Sequence, residues 1–126
     1  MTRGRGGNAA AGRSGEALAA SVLERSGYAI AARNWRCRLG EIDIVAFDGK
    51  TVVFVEVRTR RNPDRFGTPA ESVDARKKAR LRRLALAYLK ERRLDEATPV
   101  RFDVFDIRWG AAEGGEPQIR HIRDAF

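Results

Sequence analysis

Cysteine and histidine are almost absent from this sequence. Its 126 residues include one cysteine, Cys37, and one histidine, His121. A single cysteine excludes an internal disulfide and a zinc site built from several cysteines. A single histidine argues against a histidine-based catalytic triad and against a metal site with two histidines. Any chemistry in this chain must therefore depend on carboxylates and cations.

Long apolar runs are also missing. No segment approaches the roughly 20 consecutive apolar residues that a membrane-spanning helix requires. The N-terminal residues 1–7 lack the apolar stretch of a signal peptide. We therefore expect a cytoplasmic protein that does not contact membranes. Hydrophobic residues nevertheless make up 43% of the chain, which is enough for one packed core at this length.

Acidic residues are scarce in the middle of the chain. The whole protein carries a net charge of +8, whereas residues 58–93 contain thirteen basic and four acidic residues, a net charge of +9. Of the 25 basic residues, 21 are arginine, and the planar guanidinium binds phosphate through paired hydrogen bonds. This excess predicts a polyanionic partner, of which nucleic acid is the first candidate.

Hydrophobic periodicity and turn residues divide the chain into a tail and one domain. Residues 1–13 lack an apolar period and are predicted to form a disordered basic tail. Residues 14–126 are predicted to form a single α/β domain with the element order αβββαββ and a mixed sheet. The predicted helices cover residues 14–26 and 69–93, and the predicted strands cover residues 28–32, 39–47, 51–58, 99–109 and 118–122.

Three carboxylates lie in the two strands that Asp48-Gly49 is predicted to join as a hairpin. Strict alternation places Glu41 and Asp43 on one face of the first strand. With Asp48-Gly49 as a two-residue turn, Asp43 lies opposite Phe54 and diagonal to Glu56. Glu41 then lies directly opposite Glu56, so the three carboxylates share one face.

Two interpretations of these carboxylates remain open. Like charges that face each other on apolar strands oppose folding, and a hard divalent cation such as Mg²⁺ would remove that repulsion. This interpretation makes Glu41, Asp43 and Glu56 metal ligands. In the other interpretation the face is solvated, and Glu56 forms an ion pair with Arg58.

The same two strands resemble a known nuclease signature. The segments Gly40-Glu-Ile-Asp-Ile-Val and Phe54-Val-Glu-Val-Arg-Thr-Arg are similar to the D…E-x-K pattern of restriction-endonuclease-like proteins. Four further segments resemble the YraN-like uncharacterised bacterial family, which is related to archaeal Holliday junction resolvases. These segments are Gly15-Glu-Ala-Leu-Ala-Ala, Asn34-Trp-Arg, Arg101-Phe-Asp-Val and His121-Ile-Arg-Asp-Ala-Phe. The resemblance covers about residues 12–126.

This resemblance implies a restriction-endonuclease-like core and phosphodiester hydrolysis that depends on Mg²⁺ or Mn²⁺. By position, Glu16 corresponds to the acid on the first helix, Asp43 to the metal-binding aspartate and Glu56 to the glutamate of E-x-K. Arg58 takes the place of the lysine and completes the implied catalytic set. Because arginine keeps its proton, Arg58 could not act as a base, although it could stabilise charge that develops on phosphorus.

Cations follow the E-x-K segment along the chain. We expect them to bind phosphates, because few acidic residues lie nearby to neutralise them. A solvated helix face is the alternative for those in the second helix. The predicted nucleic-acid-binding residues are Arg60, Arg61 and Arg65 in a loop and Arg76, Arg80 and Arg83 on the helix.

Together these features predict a Mg²⁺-dependent DNA endonuclease, with branched or damaged DNA as candidate substrates. The alternative is a nucleic-acid-binding module that keeps the nuclease fold and does not catalyse. The expected partner is nucleic acid, above all DNA. A homodimer is compatible with the sequence.

Overall fold

A computed structural model describes residues 7–60, 75–110 and 116–126, with the side chains of the first helix described from residue 15. These residues form an α/β fold. Its elements, in chain order, are α1 (Gly7–Arg25), β1 (Ala29–Cys37), β2 (Gly40–Asp48), β3 (Thr51–Arg60), α2 (Ala75–Glu91), β4 (Val100–Arg108) and β5 (Gln118–Ile122). The predicted order αβββαββ is confirmed.

The five strands form one mixed sheet in the order β1-β2-β3-β4-β5. Only β3 and β4 are parallel to each other, and the other neighbours are antiparallel. The parallel pair is the one whose connection contains α2, as expected because parallel neighbours need a long crossover. This architecture is consistent with the restriction-endonuclease-like core that the sequence predicted. Among the described helices, none combines the length and the apolar character that a bilayer crossing requires.

The sheet has a hydrophobic core on each face. The core on the α1 face joins Ala19, Ala20 and Leu23 to sheet residues such as Ile44 and Phe105. The core on the α2 face contains the residues that the helical period predicts to be buried, and they pack on strand residues that include Phe54 and Phe102. These buried α2 residues are Leu81, Leu84, Ala85 and Tyr88. Strand β4 is buried on both faces from Phe102 to Ile107, as predicted.

The predicted hairpin register is wrong by two residues. The structure pairs Asp48 with Thr51, so the two-residue loop is Gly49-Lys50 and not Asp48-Gly49. Gly49 has a φ of 63°, and the first loop position of a two-residue hairpin is where a type II′ turn places glycine. Phe54 therefore pairs with Val45 instead of Asp43. The predicted pairing of Glu41 with Glu56 is lost as well.

Strict alternation along β2 also fails. Ile42 packs in the core on the α2 face, whereas Ile44 packs in the core on the α1 face. Two residues with this spacing would share a face in a regular strand. In neighbouring β1, Asn34 adopts a φ of 55°, a conformation that asparagine tolerates better than most residues. Asn34 lies between Arg33, which pairs with Ile44, and Trp35, which pairs with Ile42, so both strands are irregular at the level of Asp43.

Several element boundaries differ from the prediction. Helix α1 begins at Gly7, well before the predicted N-cap Ser14, and β1 extends to Cys37. Strand β3 continues to Arg60, which was expected in a loop. The predicted beginning of the second helix, at residues 69–74, lies outside the described residues. The division into a tail of residues 1–13 and a domain of residues 14–126 stays a prediction.

Candidate active site

Helix α1 brings Glu16 to the sheet. Glu16 precedes Ala19, Ala20 and Leu23 by three, four and seven residues, which places it on the buried stripe of the helix. A Cβ atom on the preceding residue, Gly15, would lie 2.7 Å from Oγ1 of Thr59 in β3. Glycine at this position therefore allows α1 to pack closely against β3. The Glu16 side chain is 9% exposed and accepts a hydrogen bond of 2.8 Å from Nδ2 of Asn34.

The irregular part of β2 turns the Asp43 carboxylate toward β3. The regular pairing of β2 with β3 ends at Ile44 and Val55. Beyond this point the backbone N–H of Val57 donates a hydrogen bond of 2.8 Å to Oδ2 of Asp43. The Asp43 carboxylate thus accepts the hydrogen bond that a backbone carbonyl would accept in a regular sheet, at the point where the pairing of β2 with β3 ends.

Glu16, Glu41 and Asp43 form the acidic cluster of the described residues. One carboxylate oxygen from each lies within 4.8 Å of the others. Glu41 joins the cluster from the beginning of β2, where it forms an ion pair of 3.5 Å with Nε of the exposed Arg36. Glu56, which the sequence predicted as a third ligand beside Glu41 and Asp43, is not a member of this group of three.

The pKa of Asp43 is raised from its ordinary value of 3.8 to about 7. Burial is the main cause, followed by the negative charge of Glu56. The hydrogen bond from the Val57 amide acts in the opposite direction, and the charges of Glu16 and Glu41 add to the rise. Asp43 is therefore a carboxyl group whose ionised form lacks compensating positive charge.

Glu56 lies on the α2 face, where cations surround it. Nζ of Lys77 is 2.7 Å from Oε2 of Glu56, and Nε of Arg58 is 3.7 Å from the same oxygen. The ion pair predicted between Glu56 and Arg58 is present, but the closer cation comes from α2. The sequence contained a signal for Lys77, because it precedes the buried residues Leu81 and Leu84 by four and seven positions.

The basic face of α2 borders this site. Arg76, Lys77, Arg80 and Arg83 line an open groove of about 360 Å³, and the first, third and fourth of these were predicted to bind phosphate. Arg60 lies at the end of β3 and is 3.5 Å from Oδ1 of the buried Asp106, so its side chain is directed into the protein. The predicted phosphate-binding residues Arg61 and Arg65 lie outside the described residues.

A second group of ionisable side chains, which the sequence did not predict, surrounds Asp103 in β4. Asp103 is fully buried and accepts hydrogen bonds of 2.9 and 3.0 Å from the Arg101 guanidinium. Nε2 of His121 lies 2.7 Å from the same carboxylate. Arg101 also donates to Asp48 at 3.0 Å and to the hydroxyl oxygen of Tyr28 at 2.6 Å. Each buried charge in this network has an opposite charge beside it.

Comparison with known sequences shows the family. Residues 15–107 match the sequence model of the uncharacterised protein family UPF0102. The chain belongs to UPF0102. A UPF0102 protein of Acidothermus cellulolyticus is 52% identical over an alignment 126 residues long, which covers 93% of each chain. A UPF0102 protein of Moorella thermoacetica is 57% identical over 115 residues, 91% of this chain and 93% of the relative.

UPF0102 is the family that the sequence motifs predicted under the name YraN-like. Residues 15–107 of this UPF0102 chain include all three members of the acidic cluster as well as Glu56, Lys77 and the α2 groove. The family description gives no activity, so the chemistry of the site has to be argued from its residues.

The donor set of the acidic cluster fits a hard divalent cation. All three ligands offered are carboxylates, the oxygen donors that Mg²⁺ and Mn²⁺ prefer. Their oxygens converge within 4.8 Å, and burial together with the neighbouring carboxylates raises the pKa of Asp43 to about 7, so its ionised form lacks compensating positive charge. A bound cation would supply the missing positive charge. The nearby guanidinium and ammonium groups of α2 are suited to phosphate oxygens.

Proposed function

We propose that this protein is a metal-dependent nuclease, a Mg²⁺-dependent endonuclease whose substrate is DNA. The observation that supports this function best is the position of the carboxylates of Glu16, Glu41 and Asp43 relative to the cations of α2. Lys77 connects the two regions, because it lines the groove and forms an ion pair with Glu56, whose charge acts on Asp43. Phosphodiester hydrolysis requires both a metal-binding group and phosphate-binding cations.

The residues divide this work between them. Glu16, Glu41 and Asp43 would hold the cation, which when bound supplies a water of lowered pKa and neutralises charge on the phosphate. Asp43 has to lose its proton as the cation enters, because its pKa is about 7 in the metal-free protein. Arg76, Arg80 and Arg83 would bind the phosphates on either side of the scissile bond and so fix its position.

Cleavage assays test this proposal directly. Duplex, single-stranded, flap and four-way-junction DNA would be incubated with the protein in Mg²⁺, Mn²⁺ or EDTA. We expect cleavage of at least one substrate in metal, none in EDTA and none by Asp43→Asn. Glu24→Gln, which changes an exposed carboxylate on the same helix as Glu16, should cleave like the wild type. Absence of cleavage on every substrate in both metals would contradict the proposal.

A nucleic-acid-binding module without catalysis is the second candidate. The observation that favours it is Arg58, which stands at the lysine position of the E-x-K pattern and cannot lose its proton. This candidate predicts salt-dependent DNA binding through the α2 groove with no cleavage in any metal. The same set of substrates therefore separates the two functions if binding and cleavage are both measured.

A further inference from the structure

Asp106 in β4 is a fully buried carboxylate that belongs neither to the acidic cluster nor to the Asp103 network. Its Oδ2 accepts a hydrogen bond of 2.9 Å from Nε of Arg108. Its Oδ1 lies 3.5 Å from Nε of Arg60 and accepts no hydrogen bond from any described residue. One carboxylate is therefore the counter-charge of two guanidinium groups, and this trio carries one positive charge in excess.

The alternation of side chains places the trio on the α2 face of the sheet. Phe54 of β3 and Val104 of β4 pack in the core on that face. Arg60 follows Phe54 by six positions, so it lies on the same face. Asp106 and Arg108 follow Val104 by two and four positions and lie there as well. Because α2 packs on this face, the trio and the α2 groove are on the same side of the sheet.

The two arginines of the trio are direct neighbours. Arg60 and Arg108 pair across the parallel strands β3 and β4, and neighbouring strands lie about 4.8 Å apart. Two like charges are thus held side by side, and their repulsion opposes this arrangement. Asp106 offsets only part of the repulsion, because it carries a single charge. An anion bound between the two guanidinium groups would offset the rest.

Asp106 holds each arginine by the nitrogen nearest to its aliphatic stem. Both contacts are made by Nε, and neither guanidinium has another hydrogen bond or ion pair within the described part of the chain. The Nη groups are therefore available as donors, and the side chains of Arg60 and Arg108 are 19% and 22% exposed. Paired N–H donors of this kind match the oxygens of a phosphate group.

We propose that Arg60 and Arg108 form a phosphate-binding subsite for the backbone of a nucleic acid, and that Asp106 is its positioning residue. The subsite rests on the nucleic-acid binding of the proposed function and adds to it a contact outside the α2 groove. It applies equally to a protein that binds without cleavage. Arg60 lies four residues after Glu56 on β3, a separation of about 13 Å along the strand. This separation favours a phosphate next to the one at the acidic cluster.

Replacement of both arginines by lysine tests the subsite without a change of net charge. A lysine that pairs with Asp106 uses its only nitrogen for that contact and has no Nη groups beyond it. Binding of fluorescent duplex DNA would be measured in EDTA over a range of salt concentrations. We expect Arg60→Lys/Arg108→Lys to reduce the slope of log K against log salt by about 0.9, the value for one phosphate contact.

The matched control is Arg25→Lys/Arg123→Lys, which makes the same exchange at exposed positions elsewhere. This control should keep the slope of the wild type. A wild-type slope in Arg60→Lys/Arg108→Lys would overturn the proposal, because the trio would then be an ion cluster that serves the fold alone.

The positioning role of Asp106 predicts an effect opposite to that of charge. Asp106→Asn raises the net charge by one, so electrostatic attraction alone would strengthen DNA binding. Loss of the carboxylate releases both guanidinium groups, so we expect weaker binding and a smaller salt slope instead. Asp95→Asn makes the same change of charge at an exposed position and should not weaken binding. Stronger binding by Asp106→Asn would overturn the positioning role.

Nitrogen-15 NMR of the wild type keeps the proposal testable if a variant does not fold. On addition of duplex DNA, the Nη signals of Arg60 and Arg108 should shift, and rotation about their Cζ–Nη bonds should become slower. Signals that DNA leaves unchanged would overturn the subsite.

These binding measurements separate failure of the subsite from failure of the nuclease function. All of them are made in EDTA, so absence of cleavage in the earlier assays contradicts the nuclease function alone. DNA binding with equal salt slopes in the wild type and the lysine variant contradicts the subsite alone. A wild type that binds no DNA contradicts both.

Discussion

The half-buried carboxylate of Asp43 and the fully buried carboxylate of Asp103 have opposite electrostatic environments. At Asp43, burial and the charge of Glu56 raise the pKa to about 7, and one backbone hydrogen bond opposes them. At Asp103, burial alone would also raise the pKa. Hydrogen bonds from His121, Arg101 and the Asp124 amide outweigh that effect and hold the pKa below its ordinary value.

The difference teaches which region stabilises the fold and which region, under our proposal, binds a metal ion. The Asp103 network is complete within the protein, because Arg101 of β4 and His121 of β5 both form hydrogen bonds with the carboxylate. It also joins the C-terminal segment to the sheet, since the backbone N–H of Asp124 donates to Asp103 at 2.9 Å. At Asp43, by contrast, burial and the charges of Glu56, Glu16 and Glu41 disfavour the ionised carboxylate. A region of this kind decreases the stability of the metal-free protein, and a bound cation would restore it.

The largest expected effect is the loss of the balanced network. Asp103→Asn leaves the Arg101 guanidinium largely buried without its main counter-charge, and such a change typically costs about 3–5 kcal/mol of unfolding free energy. Urea denaturation would measure it as a lowered midpoint with an unchanged slope. Asp95→Asn, at an exposed position, should stay within about 0.5 kcal/mol of the wild type. If the two variants were equally stable, the Asp103 network would not be a stabilising feature.

The pH dependence of stability should differ between the two aspartates. Because the pKa of Asp43 is about 7 in the folded protein and 3.8 ordinarily, the folded state keeps a proton that the unfolded state has lost between these values. The contribution of Asp43 to the free energy of unfolding is therefore fully present below about pH 4 and is lost as the pH rises to about 7. Asp103 acts in the opposite direction, since its stabilisation is lost as the pH falls through its lowered pKa.

Comparison of the wild type with Asp43→Asn in EDTA isolates the first of these effects. The variant should gain stability relative to the wild type from about pH 4 to pH 7 and then keep a constant difference. That difference is at most about 4 kcal/mol, and it is smaller to the extent that solvent screens the carboxylate. Urea titrations at several pH values would measure it. Parallel stability profiles for the two proteins would show that Asp43 is not an uncompensated charge.

The cations of the α2 groove should contribute more to nucleic-acid binding than exposed cations elsewhere on the protein. Arg76, Arg80 and Arg83 line the open groove, so replacing all three by alanine should reduce the slope of log K against log salt by about 2.7, or 0.9 per phosphate contact. A control variant with Arg25, Arg120 and Arg123 replaced loses the same charge at exposed positions elsewhere. Its slope should change much less. Equal slopes for both variants would mean that net charge alone drives binding.

Local patterns in the sequence predicted much of this molecule. The spacing of Leu81, Leu84, Ala85 and Tyr88 predicted the buried side of α2. The apolar side chains within the segment 99–109 predicted a strand that is covered on both faces. These features depend on the period of one element at a time. The α/β order was predictable for the same reason. The family was predictable because its motifs are short and contiguous.

Contacts between distant segments could not be predicted in this way. The hairpin register depends on whether Gly49 is the first or the second residue of the two-residue loop. The sequence prediction placed it second, whereas in the structure it is first. This difference changes the residue that lies opposite Asp43. Lys77 and Glu56 are 21 positions apart, and Asp103 and His121 are 18 positions apart. The periodicity of a helix or strand assigns a face to each of these residues but does not select its partner on another element.

The most direct test of the central claim, that the acidic cluster is a metal site, is thermal unfolding of the wild type and Asp43→Asn in EDTA and in increasing Mn²⁺. In EDTA the variant should melt no lower than the wild type. At ten times Kd, Mn²⁺ should stabilise the wild type by about 1.4 kcal/mol, a rise in Tm of several degrees, and should stabilise the variant much less. A wild type that millimolar Mn²⁺ does not stabilise, with Asp43→Asn less stable in EDTA, would contradict the account and make Asp43 a structural hydrogen-bonding residue.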